Sequence, residues 1–318
     1  MPRSLGKTGL HLEPLVLGGN VFGWTIDEKR SFELLDAYVD AGFSAIDTAD
    51  SYSTWVPGHH GGESETVIGN WLRANPGKRQ KVLLFTKVGS DMGGGHKGLS
   101  AGWIEQAAED SLRRLRVEVI DLYQSHWPDP QTPIEETLGA YERLLRAGKV
   151  RAIGASNLDA AQLRQALDVA RERHLPGYAT LQPQYNLYDR QGFEGELRDL
   201  CLEEHLGVIT YFSLASGFLS GKYRSKADFS KSARGAGMSK YLNARGERIL
   251  KALDEVGARQ GAASAEVALA WVIAQRGVTA PIASATDAAQ LASLIKATRL
   301  KLSEGDIRLL DTASAPDG

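Results

Sequence analysis

A chain of 318 residues, 42% of them hydrophobic, can bury a large core, either as one α/β barrel or as two smaller domains. Its 37 basic and 39 acidic residues leave no electrostatic footprint for nucleic acid or for an anionic membrane surface. The lone cysteine, Cys201, excludes an internal disulfide framework, the N-terminal segment lacks an apolar h-region, and no apolar run approaches the ~20 residues of a membrane span, so a cytoplasmic protein is expected.

In chain order, "LGKTG" reads as the turn of an N-terminal β-hairpin that caps the bottom of a barrel. Eight short runs rich in Val, Ile and Leu then predict strands: 15–19, 44–49, 82–88, 119–125, 150–156, 179–185, 207–213 and 278–284. Between them lie amphipathic segments such as "DEKRSFELLDAYVDAG", "SAGWIEQAAEDSLRRL", "TPIEETLGAYERLLRAG" and "LDAAQLRQALDVARER". Most open on Asp, Ser or Thr and several close on Gly, as helix caps require. Eight β-then-α units without a break in composition predict one closed parallel barrel, a (β/α)8 TIM barrel over 1–318 as a single domain, with extra helices near the C-terminus. A doubly wound nucleotide-binding sheet would need G-x-G-x-x-G after its first strand, whereas the glycines here are Gly18, Gly19 and Gly23. The basic, Gly/Ser-rich stretch 218–243 reads as a long loop after the seventh strand.

The C-terminal ends of barrel strands open on one face, where active sites are built. The second strand ends at Asp47 and leads to Tyr52, the third carries Lys87, and the fourth runs into His126. The fifth ends with Ser156 and Asn157, the sixth carries Gln182, and the seventh ends at Tyr211. Taken singly, these residues have ordinary explanations as a helix cap, a rim aromatic, a solvated charge and a core histidine. An ammonium in the apolar run "LLFTKVG", however, needs a partner, and Asp47 is the obvious one. Together, an acid, a phenol, an ammonium and an imidazole from three consecutive strands are chemically complementary, a conjunction that four accidents would not readily produce. His59 and His60 in "STWVPGHHGGES" lack a third ligand at any metal spacing, so no metal site is expected.

With "DTADSY", "FTKVG", "QSHWPD" and "GASN" in this order, followed by "QPQYN" and "YFSLASGFLSGKY", the chain resembles the aldo-keto reductase superfamily over essentially its whole length. The resemblance implies a TIM barrel that binds a nicotinamide cofactor without a Rossmann domain, and a catalytic tetrad of Asp47, Tyr52, Lys87 and His126. In that tetrad Tyr52 is the general acid, Lys87 favours its phenolate, Asp47 holds Lys87, and His126 positions the substrate carbonyl. It also implies a carboxamide clamp of Ser156, Asn157 and Gln182, a ring stacked on Tyr211, and a pyrophosphate loop of Phe212, Ser213, Leu214, Ser216 and Gly217 with Lys222. Gly19, Asn20 and Asp47 join the cofactor site. The 2'-phosphate is expected at Ser284, Thr286 and Gln290, where many relatives have a basic residue and then a Glu-Asn pair; this chain has Thr286, Ser293 and Leu294. NADP(H) is therefore expected to be preferred only modestly, with NAD(H) usable, and Lys222 or Arg234 of the long loop are the other sources of positive charge. The substrate is expected to be a small carbonyl or alcohol, against an aromatic wall of Trp24, Trp55 and Trp127. The second reading is a cofactor-binding accessory subunit on the same barrel.

Overall fold

Eight parallel strands close into a barrel in the computed structural model, which describes residues 2–231 and 235–316 and leaves Arg234 outside the described residues. The N-terminal hairpin pairs β1 (Arg3–Ser4) with β2 (His11–Leu12). The barrel strands are β3 (Val16–Gly18), β4 (Ala45–Asp47), β5 (Leu83–Val88), β6 (Leu122–Ser125), β7 (Ile153–Ser156), β8 (Thr180–Gln182), β9 (Gly207–Thr210) and β10 (Ala280–Ala283), and β10 closes the ring on β3. One helix follows each strand: α1 (Glu28–Asp40), α2 (Glu63–Ala74), α3 (Ala101–Leu115), α4 (Ile134–Arg146), α5 (Ala160–Glu172), α6 (Glu196–Glu203), α8 (Ser264–Ala274) and α9 (Ala288–Ala297). Outside this alternation, α7 (Ala244–Gln260) packs on α10 (Glu304–Ser314), where Arg259 and Gln260 both donate to Asp306 at 2.8 Å.

Local chemistry sets these boundaries. Asp27, Asp159, Asp287 and Ser303 accept from the third amide of their helices, each satisfying one of the orphan donors of a first turn. Helix α4 starts one residue later than its Thr suggests, with Pro133 at the cap. The hydrogen-bonded ladders are shorter than the apolar runs that predict them. In the seventh strand the ladder stops at Thr210, because Phe212 takes a left-handed φ of 51°, and Tyr211 keeps only an isolated bridge to Gln184.

Alternate strand residues fill the barrel, as a side-chain period of two demands. Val16, Ala45, Phe85, Leu122, Ile209 and Ala280 form the inner core, and Leu5, Leu10 and Leu12 of the hairpin join it from below. Gly6 sits so close to β9 that a Cβ would lie 2.2 Å from the Gly207 amide nitrogen, a contact only glycine permits. The other strand residues face the helices in a larger outer core.

The stretch after β9 differs from the expected irregular loop. It carries 3-10 turns at Ala215–Ser220, Lys226–Lys231 and Gly235–Tyr241, and Phe218, Leu219, Tyr223 and Met238 are buried. The rings of Phe218 and Tyr241 stack at 5.0 Å, which holds the two ends of the segment together. Among the described residues, no helix is long and apolar enough to cross a membrane.

Candidate active site

One layer above the apolar core, the same inward-facing alternation turns polar. Ala45 is followed inward by Asp47, Phe85 by Lys87, Leu122 by Gln124 and Thr180 by Gln182, and the register sets Lys87 beside Gln124. The Lys87 side chain is fully buried and its three N–H donors are all used: Nζ donates to Asp47 Oδ2 at 2.6 Å, to the Thr48 carbonyl at 2.8 Å and to the Tyr52 hydroxyl at 2.9 Å. Tyr52 in turn donates to Asp47 Oδ2 at 3.3 Å, and Gln182 Nε2 donates to Asp47 Oδ1 at 2.9 Å. Asp47 thus holds the ammonium, the phenol and a distant amide at once. Burial lowers the Lys87 pKa, and the adjacent Asp47 carboxylate opposes that shift.

The Tyr52 phenol departs from expectation. The Lys87 ammonium was expected to favour its phenolate, but burial, together with the Asp47 carboxylate that accepts its hydrogen, pushes the phenol well above the usual tyrosine value. The site as it stands therefore holds the proton on the phenol oxygen. His126, just past β6, ties its amide to the Val88 carbonyl at 2.8 Å. Its ring Nδ1 lies 2.9 Å from Ser90 Oγ and 3.5 Å from Ser51 Oγ. Burial, and then the nearby Lys87 charge, push the imidazole well below its ordinary value, so it is neutral at pH 7.

Above these groups opens a cavity of about 950 Å³, lined by Asp47, Tyr52 and His126 but not by Lys87, which sits behind Tyr52. The residues expected to form the clamp are hydrogen-bonded to one another in a connected chain. Ser156 Oγ donates to the Gln182 carbonyl at 2.7 Å, Asn157 Nδ2 donates to Ser156 Oγ at 3.1 Å, and the Tyr211 hydroxyl donates to Asn157 Oδ1 at 2.7 Å. Through Gln182 this chain reaches Asp47. Phe212, Ser213, Leu214, Ser216, Gly217 and Lys222 all line the cavity, and Phe212, Ala215, Ser216 and Gly217 have positive φ. Three non-glycine residues in the left-handed region within five positions is a strained turn, of the kind that concentrates at ligand sites. Lys222 is the one lysine or arginine among the described lining residues.

Asn20, Ser284, Thr286 and Gln290 also line the cavity, and Ser284 Oγ donates to Asn20 Oδ1 at 2.6 Å. Gly19 does not. Its amide donates to the Asp47 carbonyl and its own carbonyl accepts from Ser64, so it faces the α2 side, and Gly18 takes its place in the wall. A Cβ at Gly18 would come within 2.6 Å of Ser284 Oγ and crowd that wall. At the start of α9, Gln290 Oε1 accepts from the Thr286 amide and hydroxyl. Asp287 is absorbed in capping, accepting from Gln290, and is not among the lining residues.

Trp24, Trp55 and Trp127 stand together at the mouth. Trp24 meets Trp55 edge to face at 5.7 Å, Trp55 lies 6.1 Å from Tyr52, and Trp127 stacks on His126 at 6.0 Å. Sequence reasoning missed Ser51, Ser90, Gln184, Ser220 and Ala265, which also line the cavity. Ser51 and Ser90 lie inside or beside motifs already singled out, but a serine in a loop carries no periodicity that marks it.

A family model described as the aldo/keto reductase family matches residues 14–315. The chain is 36% identical, over 99% of its length and 96% of the other's, to an uncharacterised oxidoreductase, YrpG, of Bacillus subtilis. It is 31% identical over 97% of its length to the aldo-keto reductase YhdN of the same organism, covering 92% of that protein. A probable voltage-gated potassium channel subunit beta of rice, Oryza sativa, is 32% identical, with 93% of this chain and 90% of that one covered.

Proposed function

The chain belongs to the aldo/keto reductase family of oxidoreductases, and from that premise we propose that it reduces aldehydes or ketones to alcohols, or runs the reverse, preferring NADP(H) modestly and accepting NAD(H). The observation that carries this reading is the hydrogen-bonded run from Lys87 to Tyr52 to Asp47 on the floor of an open cavity. A bound nicotinamide cofactor supplies the hydride that reaches the carbonyl carbon. This chain's residues manage the proton and the orientation. Tyr52 holds a proton on its hydroxyl and gives it to the carbonyl oxygen as negative charge develops there. The Lys87 ammonium, 2.9 Å away, offsets the charge left on the phenol oxygen, and Asp47 keeps Lys87 in place. Neutral His126 donates to the same carbonyl oxygen and fixes its position.

The polar lining suits the cofactor. Ser156, Asn157 and Gln182 present amide and hydroxyl groups at one level, Tyr211 offers a ring beside them, and the left-handed turn with Lys222 offers backbone donors and a cation for a pyrophosphate. Ser284, Thr286 and Gln290 give hydrogen bonds without positive charge, which supports a modest preference for the 2'-phosphate. The tryptophan wall supports apolar or aryl carbonyls as substrates. The accessory-subunit reading draws on the rice relative's name alone. Against it, the exposed large hydrophobics among the described residues, Trp55, Trp127 and Phe212, all line this cavity rather than a separate docking patch.

The test is oxidation of NADPH and of NADH over a panel of aldehydes, ketones and aldoses. Turnover with at least one aryl or alkyl carbonyl is expected. Tight cofactor binding without turnover on any member would favour the accessory role.

A further inference from the structure

We propose that Ser90 is a positioning residue that sets the tautomer of His126: its hydroxyl donates to Nδ1, so the ring hydrogen sits on Nε2 and points at the substrate carbonyl. The inference rests on the carbonyl-reductase reading above. A neutral imidazole has one N–H and one bare nitrogen, and only the N–H can bond a carbonyl oxygen, which has lone pairs alone. Were the hydrogen on Nδ1, the bare Nε2 would face those lone pairs and repel them. Which nitrogen carries it is set by the partner of the other.

For Nδ1 that partner is Ser90, whose hydroxyl can donate or accept and has no other acceptor for its hydrogen among the described residues, so that donation to Nδ1 is what keeps it paired. Ser90 Oγ lies 2.9 Å from Nδ1, a full hydrogen bond, whereas Ser51 Oγ at 3.5 Å is at the limit of one. Among the described residues Ser90 Oγ has no other hydrogen-bond partner and Nε2 has none at all, while the ring lines the cavity. The two residues are also fixed against each other through the backbone. Strand β5 ends at Val88, whose carbonyl accepts the His126 amide, and Gly89, at φ +116°, swings Ser90 across the neighbouring strand's end. Burial and the Lys87 charge keep the ring neutral, so the choice between tautomers is the one left open.

Ring-nitrogen NMR of protein labelled with 15N-histidine, with His126 assigned by subtraction of a His126→Asn spectrum, reads the tautomer directly. The measurement is made without ligand and with NADP+ and benzaldehyde. In the wild type we expect hydrogen on Nε2 and a hydrogen-bonded, bare Nδ1. In Ser90→Ala the Nδ1 signal should lose that bond and the Nδ1–H form should rise. Its kcat for reduction should fall about 3- to 10-fold, the worth of one neutral hydrogen bond, with the KM for cofactor unmoved. Ser90→Thr, which keeps the hydroxyl, should restore both readings. A wild-type ring with hydrogen on Nδ1 in the presence of benzaldehyde overturns the proposal, as does a Ser90→Ala protein with unchanged ring signals, whether its rate falls or not. The turnover panel reports separately on the reductase reading, since the ring signals can be read whether or not the carbonyl is reduced.

Discussion

Tyr52, Lys87 and Asp47 share so few atoms that single substitutions separate their roles. Tyr52→Phe removes the proton and keeps the ring, so reduction is expected to fall by about 10²- to 10⁴-fold while cofactor binding holds. Single-turnover rates and tryptophan-quenching titrations read the two quantities, and retention of more than a tenth of wild-type chemistry would contradict the assignment. Lys87→Met leaves the Asp47 carboxylate buried without its cation, a loss of about 3 to 5 kcal/mol of stability when one partner of such a pair is removed. Asp47→Asn combined with Lys87→Met should be less destabilised than the two singles added; strictly additive denaturant melts would deny the coupling. Asp50 is a different case. Its carboxyl is buried, and burial, then the neighbouring Glu65, push it well above the usual range. The folded chain thus binds a proton more tightly there than the unfolded chain, whose Asp titrates near ~3.9. Stability from this group is present at low pH and is lost as pH rises from the unfolded value through the raised one. Asp50→Asn, neutral at every pH, should therefore melt higher than wild type at pH 7, by a margin that shrinks toward pH 4. Thermal melts showing the margin widen on acidification would refute this.

At the scale of elements, the start of α9 is where the proposed function puts cofactor choice. Thr286 and Gln290 bond each other and Asp287 is turned into its own cap, so this helix N-terminus offers dipole and hydroxyls but no cation. A charged contact is worth roughly 1.5 to 3 kcal/mol, so Thr286→Arg is expected to raise the NADPH-over-NADH ratio of dissociation constants by about 10- to 100-fold. A wild-type preference above about a thousandfold would place the phosphate against another cation, Lys222 first. Element limits were legible where caps are local: Asp27 and Asp159 stand where the sequence pattern puts them. They were less legible where long-range contacts intervene. The segment after β9 reads as Gly/Ser-rich and basic, yet Phe218 and Tyr241 stack and order it, a pairing 23 positions apart that no local period reveals.

Over the whole molecule, the hairpin-capped core and the candidate site occupy opposite ends of the barrel. Leu5, Leu10 and Leu12 close the bottom, while the cavity opens at the top. Leu10→Ala is expected to cost about 2 to 5 kcal/mol and to lower the melting midpoint while leaving kcat/KM unchanged; a comparable loss of kcat/KM in the still-folded variant would show the two ends to be coupled. The sequence by itself determined the eight strands, their order, and the polar residues at their ends, because period-two alternation, caps and turn residues act over a few positions. It also carried the motifs of the family. Tertiary structure alone decided that Gln182 bonds Asp47 across 135 positions and that Gly18 rather than Gly19 lines the cavity. It likewise decided that Ser90 meets His126, and that the Tyr52 phenol is raised rather than lowered. Hydrogen-bond partners and local dielectric are set by groups that closure of the barrel brings together, and their separation in sequence leaves no local trace.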